Sequence, residues 1–240
     1  MLKKRLIAVI LLRDGKVVQS VKFKHTNVIH YNAIHAIESF NRWAIDEIVI
    51  LNVSKSDSSK NQFLETIDAI SKTCFVPITV GGWIDSVEYA SKLLASGGDK
   101  ISINTHCFKN PKFISELSKK FGSQSVVVSI DSKKNDIGEE KVVIERGTKI
   151  THASPIQWAI ECERLGAGEI LINSIDHDGN RKGYNLPLIK SVVSKLSIPV
   201  IAMGGVLTWD HLIEGVIKTN PSGVAAANIF HYTEHSTKKS

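Results

Sequence analysis

The sequence predicts a single (β/α)8 barrel spanning residues 1–240. Three observations carry that prediction. Short apolar runs alternate with amphipathic helical segments from end to end, there are eight such runs, and the second half of the chain repeats the first. Alternation of this kind means parallel strands joined by right-handed crossovers. A repeat in two four-strand halves favours closure over an open sheet.

The strands are read at Leu6–Leu12, Glu47–Val53, Pro77–Val80, Lys100–Ile103, Ser125–Asp131, Glu169–Asn173, Val200–Met203 and Gly223–Ala226. Helical patterns fall between them at Asn32–Trp43, Asn61–Thr73, Val87–Ala95, Pro111–Phe121, Ile156–Leu165, Leu186–Leu196 and Trp209–Lys218. Asp85 ahead of Ser-Val-Glu and Asn110 ahead of Pro111 are helix-start signals, while Gly97 and Gly166 are stops. The last strand is followed only by IFHYTEHSTKKS, so the closing helix is expected to be short or missing. The repeat is VPITVGGWIDSVEYASKLLASGGDKISIN (76–104) against IPVIAMGGVLTWDHLIEGVIKTNPSGVAAAN (198–228), about half the chain apart. DEIVILNVS (46–54) likewise echoes GEILINSID (168–176).

Composition narrows the function. With 42% hydrophobic and 22% charged residues the chain is an ordinary globular protein. It has no apolar run of about 18 residues, so no membrane span is expected. The basic, then apolar, N-terminus is too short in its apolar stretch for a secretion signal and reads as a first strand. Cysteines 74, 107 and 162 form neither a CxxC nor a disulfide framework, which points to the cytoplasm. The net charge of +6 is spread over scattered lysines without interleaved aromatics. That shows no nucleic-acid stripe; a field attracting a phosphorylated small molecule is equally compatible with the charge, and most single lysines read as a solvated basic surface.

Chemistry in such a barrel belongs where strands end. Gly81-Gly82-Trp83, Asn104-Thr105-His106, Gly204-Gly205 and Asn228 follow four of the strands. Glycines there allow backbone N–H groups to approach an anion at a helix N-terminus. Two such turns in register across the mouth suit a substrate with a phosphate at each end, although each glycine pair alone could be a tight turn. Asp131 ends the fifth strand, where a general acid or base belongs, or a turn aspartate. Asp178-Gly179 ends the sixth and could orient substrate or bind phosphate. At the opposite end Arg5, Glu47, Lys100 and Glu169 open four strands; they could form a ring of ion pairs that plugs the base or gates a channel.

The stretches KRLIA, RDGKVV, DEIVIL, VPITVGG, GGDKISIN, FGSQSVVVSID, GAGEILINSIDHDG and IPVIAMGG together resemble the cyclase subunit of imidazole glycerol phosphate synthase, the HisF family of histidine biosynthesis. The likeness runs from residue 3 to about residue 231. It implies a (β/α)8 barrel that takes ammonia from a partner glutaminase (HisH-like) through its core. The ammonia is added to a bisphosphorylated ribulosyl substrate, giving imidazole glycerol phosphate and an aminoimidazole carboxamide ribotide, with no cofactor or metal. Asp131 then matches one of two catalytic aspartates. Asn104, Thr105, Asp178, Gly179, Gly204 and Gly205 match the phosphate loops. Arg5, Glu47, Lys100 and Glu169 match an ammonia gate, and Asp99 the face that meets the glutaminase.

Departures cluster at the mouth. The second catalytic aspartate belongs at the end of the first strand, and Leu11 stands there. Trp83 replaces the third glycine of a phosphate loop, Asn52 an aspartate, and Met203 and Asn228 small hydroxyl residues. His106, His177 and Lys133 are candidates by location for the missing acid or base. The aspartate-free first strand and VKFK at 21–24 resemble a branch of the family linked to acetamidino modification of surface sugars. The expectation is therefore a HisF-like subunit that channels ammonia for amidine formation on a nucleotide-linked sugar. A histidine-pathway cyclase and a catalytically silent activator of a glutaminase are the alternatives.

Overall fold

A computed structural model describes residues 3–41, 45–227 and 229–230, with the backbone only for residues 25, 38, 39 and 41. Eight strands form the barrel: β1 (Arg5–Arg13), β4 (Glu47–Asn52), β5 (Ile78–Gly81), β6 (Lys100–Ile103), β7 (Val126–Lys134), β10 (Glu169–Ser174), β11 (Val200–Met203) and β12 (Gly223–Ala226). Each pairs in parallel with the next, β12 pairs with β1, and β7 pairs with β10 across the intervening excursion, so the ring is closed. The β5/β6 and β11/β12 exits therefore face each other across the mouth, as the repeat predicts.

Strand alternation creates two apolar layers. Ile7, Val9 and Leu11 of β1, with Val49, Val127, Leu171, Ile201 and Met203, point into the barrel. Ala8, Ile10, Ile48, Ile50, Val126 and Val128 point outward beneath the helices. The helices are α1 (Ala33–Asn41), α2 (Lys60–Ser71), α3 (Val87–Ala95), α4 (Thr105–Lys109), α5 (Lys112–Phe121), α6 (Pro155–Arg164), α7 (Leu186–Val193) and α8 (Trp209–Thr219). Helix α3 is capped by Ser86, whose hydroxyl accepts from the Tyr89 N–H, and not by Asp85, which pairs with Lys60. After β12, the described residues are Ala227, Ile229 and Phe230. The Phe230 ring meets Phe40 of α1 edge-on at 5.8 Å and Trp209 of α8 at 6.0 Å. The stretch on which a short final helix is expected, residues 229–240, lies outside the described residues beyond Phe230.

Two hairpins decorate the mouth. The first, β2 (Lys16–Val21) with β3 (His25–His30), turns at Lys22 and Phe23, which have φ of 51° and 58°. The second follows β7: β8 (Glu140–Ile144) pairs antiparallel with it and β9 (Lys149–Ile150) with β8, around a tip at Glu145, Arg146 and Gly147. Left-handed backbone at a non-glycine residue costs about 1 kcal/mol, so the residues at these turns do not announce them.

Candidate active site and the charged base

At the base the four charged strand-start residues bind one another. Arg5 Nη1 donates to Glu47 at 2.7 Å and Arg5 Nη2 pairs with Glu169. Lys100 Nζ bridges the same two carboxylates at 3.0 Å each. Alternation aims all four side chains down one axis, and the carboxylates are buried between two cations. Burial works against the charge of Arg5, but its hydrogen bond to Glu169 and the charges of Glu169 and Glu47 outweigh this and raise its pKa. Thr79 of β5 joins the ring, its hydroxyl donating to Glu47 at 2.7 Å. Sequence reading missed it, although it occupies the inward position two residues before Gly81. Asp99 lies beside Lys100 at this end, exposed, with one oxygen accepting from the Ile78 N–H at 2.7 Å.

At the mouth Asp131 is buried, with Asn104 Nδ2 donating to one oxygen at 2.7 Å and Asn173 Nδ2 to the other at 2.9 Å. Burial lifts its pKa to about 6 against the opposing pull of the two amides. Asn173 is a site residue that the sequence reading passed over. Its inward position, two residues beyond Leu171, was the available signal. Asp178 is the second buried carboxylate here. Burial lifts it to about 6 as well; the Ser20 hydroxyl, donating at 3.0 Å, and the Phe23 N–H oppose the rise, and the charge of Asp131 adds to it. Two raised carboxyls that sense each other are the usual raw material of acid–base chemistry near neutral pH.

Leu11 points into the same chamber, 8% exposed, packed with Val18, Met203 and their neighbours. The first-strand position is thus filled by packing. Asn52 faces the helical layer, where its amide donates to Ser59 and its carbonyl accepts from the Ser54 N–H, so it braces a loop. His106 packs edge-on against Phe113, and His177 Nδ1 lies 2.9 Å from the Gly183 carbonyl. Lys133 sits opposite Lys141 on the β7–β8 ribbon.

The glycine turns have the backbone that an anion cradle needs. Gly82, Gly204 and Gly205 have φ of 105°, 101° and 95°. A Cβ on Gly82 would lie 2.3 Å from the Asn52 carbonyl, and one on Gly205 2.2 Å from that of Gly183. The Thr105 hydroxyl accepts from the Glu145 N–H at 2.9 Å, tying the second hairpin to α4. Gly179 packs under Val21, and Gly147 abuts Phe23, so the hairpins meet over the chamber. Asn228 lies outside the described residues. No group of three metal-ligating side chains occurs among the described residues, and none of their helices is long and apolar enough to cross a membrane.

A closed parallel barrel with a charged base, a buried carboxylate at the mouth and glycine turns facing each other across it places the chain in the (β/α)8 class. Comparison makes the class specific. A family model described as histidine biosynthesis protein matches residues 5–236, and the chain belongs to that family. An imidazole glycerol phosphate synthase subunit HisF from Natranaerobius thermophilus is 40% identical over 239 residues, covering 100% of this chain and 94% of that protein. The HisF subunit of Chlorobium phaeovibrioides is 38% identical over 240 residues, with the same coverage. A Vibrio vulnificus protein designated subunit hisF2 of the same synthase is 40% identical over 237 residues, 99% of this chain and 86% of that one. Within the family this is a HisF-type chain.

Proposed function

We propose that this chain is the cyclase subunit of an imidazole glycerol phosphate synthase, working in the cytoplasm with a glutaminase partner docked on the Asp99 face. The observation that carries the reading is the pairing, in one barrel interior, of a closed ion-pair ring at the base with a buried Asp131 at the mouth. Ammonia released below enters when Lys100 swings off its carboxylates. The apolar interior admits the neutral molecule and rejects ammonium, whose desolvation is far costlier. Between the two ends the buried Ser102 hydroxyl has no hydrogen-bond partner among the described residues, so it can pass a donor such as ammonia upward. At the mouth the glycine turns and the N-terminus of α4 hold the two phosphates of a ribulosyl substrate. Asp131, oriented by both asparagines, accepts a proton from the attacking nitrogen and returns it as oxygen departs. Asp178 is the carboxyl available to share that exchange.

The test supplies purified chain with ammonium and the bisphosphorylated ribulosyl substrate. The reading expects imidazole glycerol phosphate to form in proportion to enzyme; absence of product in a folded sample rejects it.

A second reading rests on Leu11. A leucine where the family carries a catalytic aspartate favours a chamber turned to other ammonia chemistry, such as acetamidino formation on a nucleotide-linked sugar. That reading expects no imidazole product in the same assay, and ammonium-dependent amidine on the sugar when the remaining components are added. A chain that only activates its glutaminase would turn over neither substrate.

A further inference from the structure

The two glycine cradles are not equivalent. The β11 turn continues from Gly205 into Val206 and Leu207. The β5 turn continues into Trp83, whose φ of 58° places a bulky residue in left-handed backbone. Its indole Nε1 donates to the Ser54 carbonyl at 3.0 Å, which lays the ring beside the cradle. Arg146 reaches this ring from the tip of the second hairpin, its guanidinium carbon 5.5 Å from the indole centroid. Its Nη1 donates to the carbonyls of Lys55 at 2.8 Å and Ser54 at 3.4 Å.

Among the described residues this guanidinium has no counter-ion. The adjacent Glu145 turns away to pair with Lys109 at 2.6 Å, and no carboxylate pairs with Arg146 among the described residues. Its Nε and Nη2 hydrogens make no hydrogen bond among those residues. The tip that presents it is held in an unfavourable shape: Glu145 and Arg146 both have positive φ, and the Glu145 N–H is anchored on Thr105 at the start of α4. Strained backbone that aims a cation over a mouth, with an aromatic ring fixing its plane, is the arrangement expected of a ligand-binding element.

We infer that Arg146 binds the phosphate on the β5/β6 side of the mouth, presenting its Nε and Nη2 as a fork to two phosphate oxygens, with Trp83 as the positioning residue that holds the fork. A side chain thereby takes over part of the contact that glycine backbone would make there, because the indole occupies the approach. The opposite cradle at β11/β12 binds its phosphate through backbone. The inference rests on the reading of the mouth as a bisphosphate site and adds that its two ends bind by different means. A guanidinium fork matches a phosphate dianion better than an ammonium does.

Calorimetric titration of the full chain with glycerol 3-phosphate tests this without turnover. The wild type should show two sites. Arg146→Gln should weaken one by about tenfold or more and leave the other in place. Arg146→Lys should recover only part of that loss, and Trp83→Leu, which keeps the backbone approach filled but removes the ring that holds the fork, should weaken the same site severalfold, with circular dichroism unchanged. Two sites of unaltered affinity in Arg146→Gln would overturn the inference and spare the bisphosphate reading. Loss of both sites together with a lowered melting temperature would show Arg146 to be a staple for the Ser54–Lys55 loop, and would also overturn it. No phosphate binding by the wild type would remove both.

Discussion

The two ends of the barrel interior divide their polar groups differently. At the base, charged side chains from β1, β4, β6 and β10 encircle the axis and compensate one another. At the mouth the described carboxylates and the amides that bind them follow or end β6, β7 and β10: Asn104, Asp131, Asn173 and Asp178, with Ser20 of β2 donating to Asp178. The strands on the other side contribute Leu11, Leu51, Met203 and Ala227. The base is a self-contained network whose removal in part leaves a buried charge unpaired. The mouth is a half-polar, half-apolar chamber. Burial raises the Asp131 carboxyl to about 6, which suits it to proton exchange near neutrality. Leu11 at the end of the first strand therefore offers no acid or base and is part of the apolar side of the chamber.

The most severe way to break this contrast is Asp131→Asn. Ammonium-driven turnover is expected to fall by roughly 10²–10⁴, with little change in the ratio of glutamine- to ammonium-driven rates, since the base is untouched. Steady-state kinetics with each nitrogen source checks it.

Acidity comes next. Asp131 is charged only above its raised value of about 6, so base catalysis weakens as pH falls through that point. Turnover at pH 5 should be about a tenth of its plateau, the profile reporting apparent values for the coupled pair Asp131 and Asp178. Stability moves the other way. A carboxyl raised on folding binds protons more tightly in the native state, so its contribution declines as pH rises from the ordinary aspartate value to about 6. A pH series of activity and melting temperature should show the two diverging over that window.

The smallest effect is a gain. Leu11→Asp puts a carboxyl into the apolar side of the chamber. Burial keeps it largely neutral, so cyclase turnover should rise only severalfold, while the melting temperature falls as a packed leucine is lost. No gain, or a loss, would sharpen the contrast in favour of the amidine reading.

Much of this was legible in the residues. The eight strands were, because period-two alternation at Arg5-Ile7-Val9-Leu11 or Lys100-Ser102 places charge at one end and the site at the other. The base ring followed from four charges opening four such strands. The hairpins were not legible, because VKFK and IERG carry their left-handed turns partly on Lys, Phe, Glu and Arg, without the Asn-Gly signal. Helix α4 was missed because five residues are too few for a period to show. The meeting of Arg146 with Trp83, far apart in sequence, is a tertiary fact, as is the role of Asn173 at Asp131.

The division of labour between the ends is tested most directly by Lys100→Ala in the complex with the glutaminase. Removing the cation that bridges Glu47 and Glu169 opens the base and leaves the chamber intact. Glutamine-driven product formation should fall while ammonium-driven formation is retained, with glutamate release outrunning product. An equal loss of both activities would contradict the account, since Lys100 would then serve the fold and not the passage of ammonia.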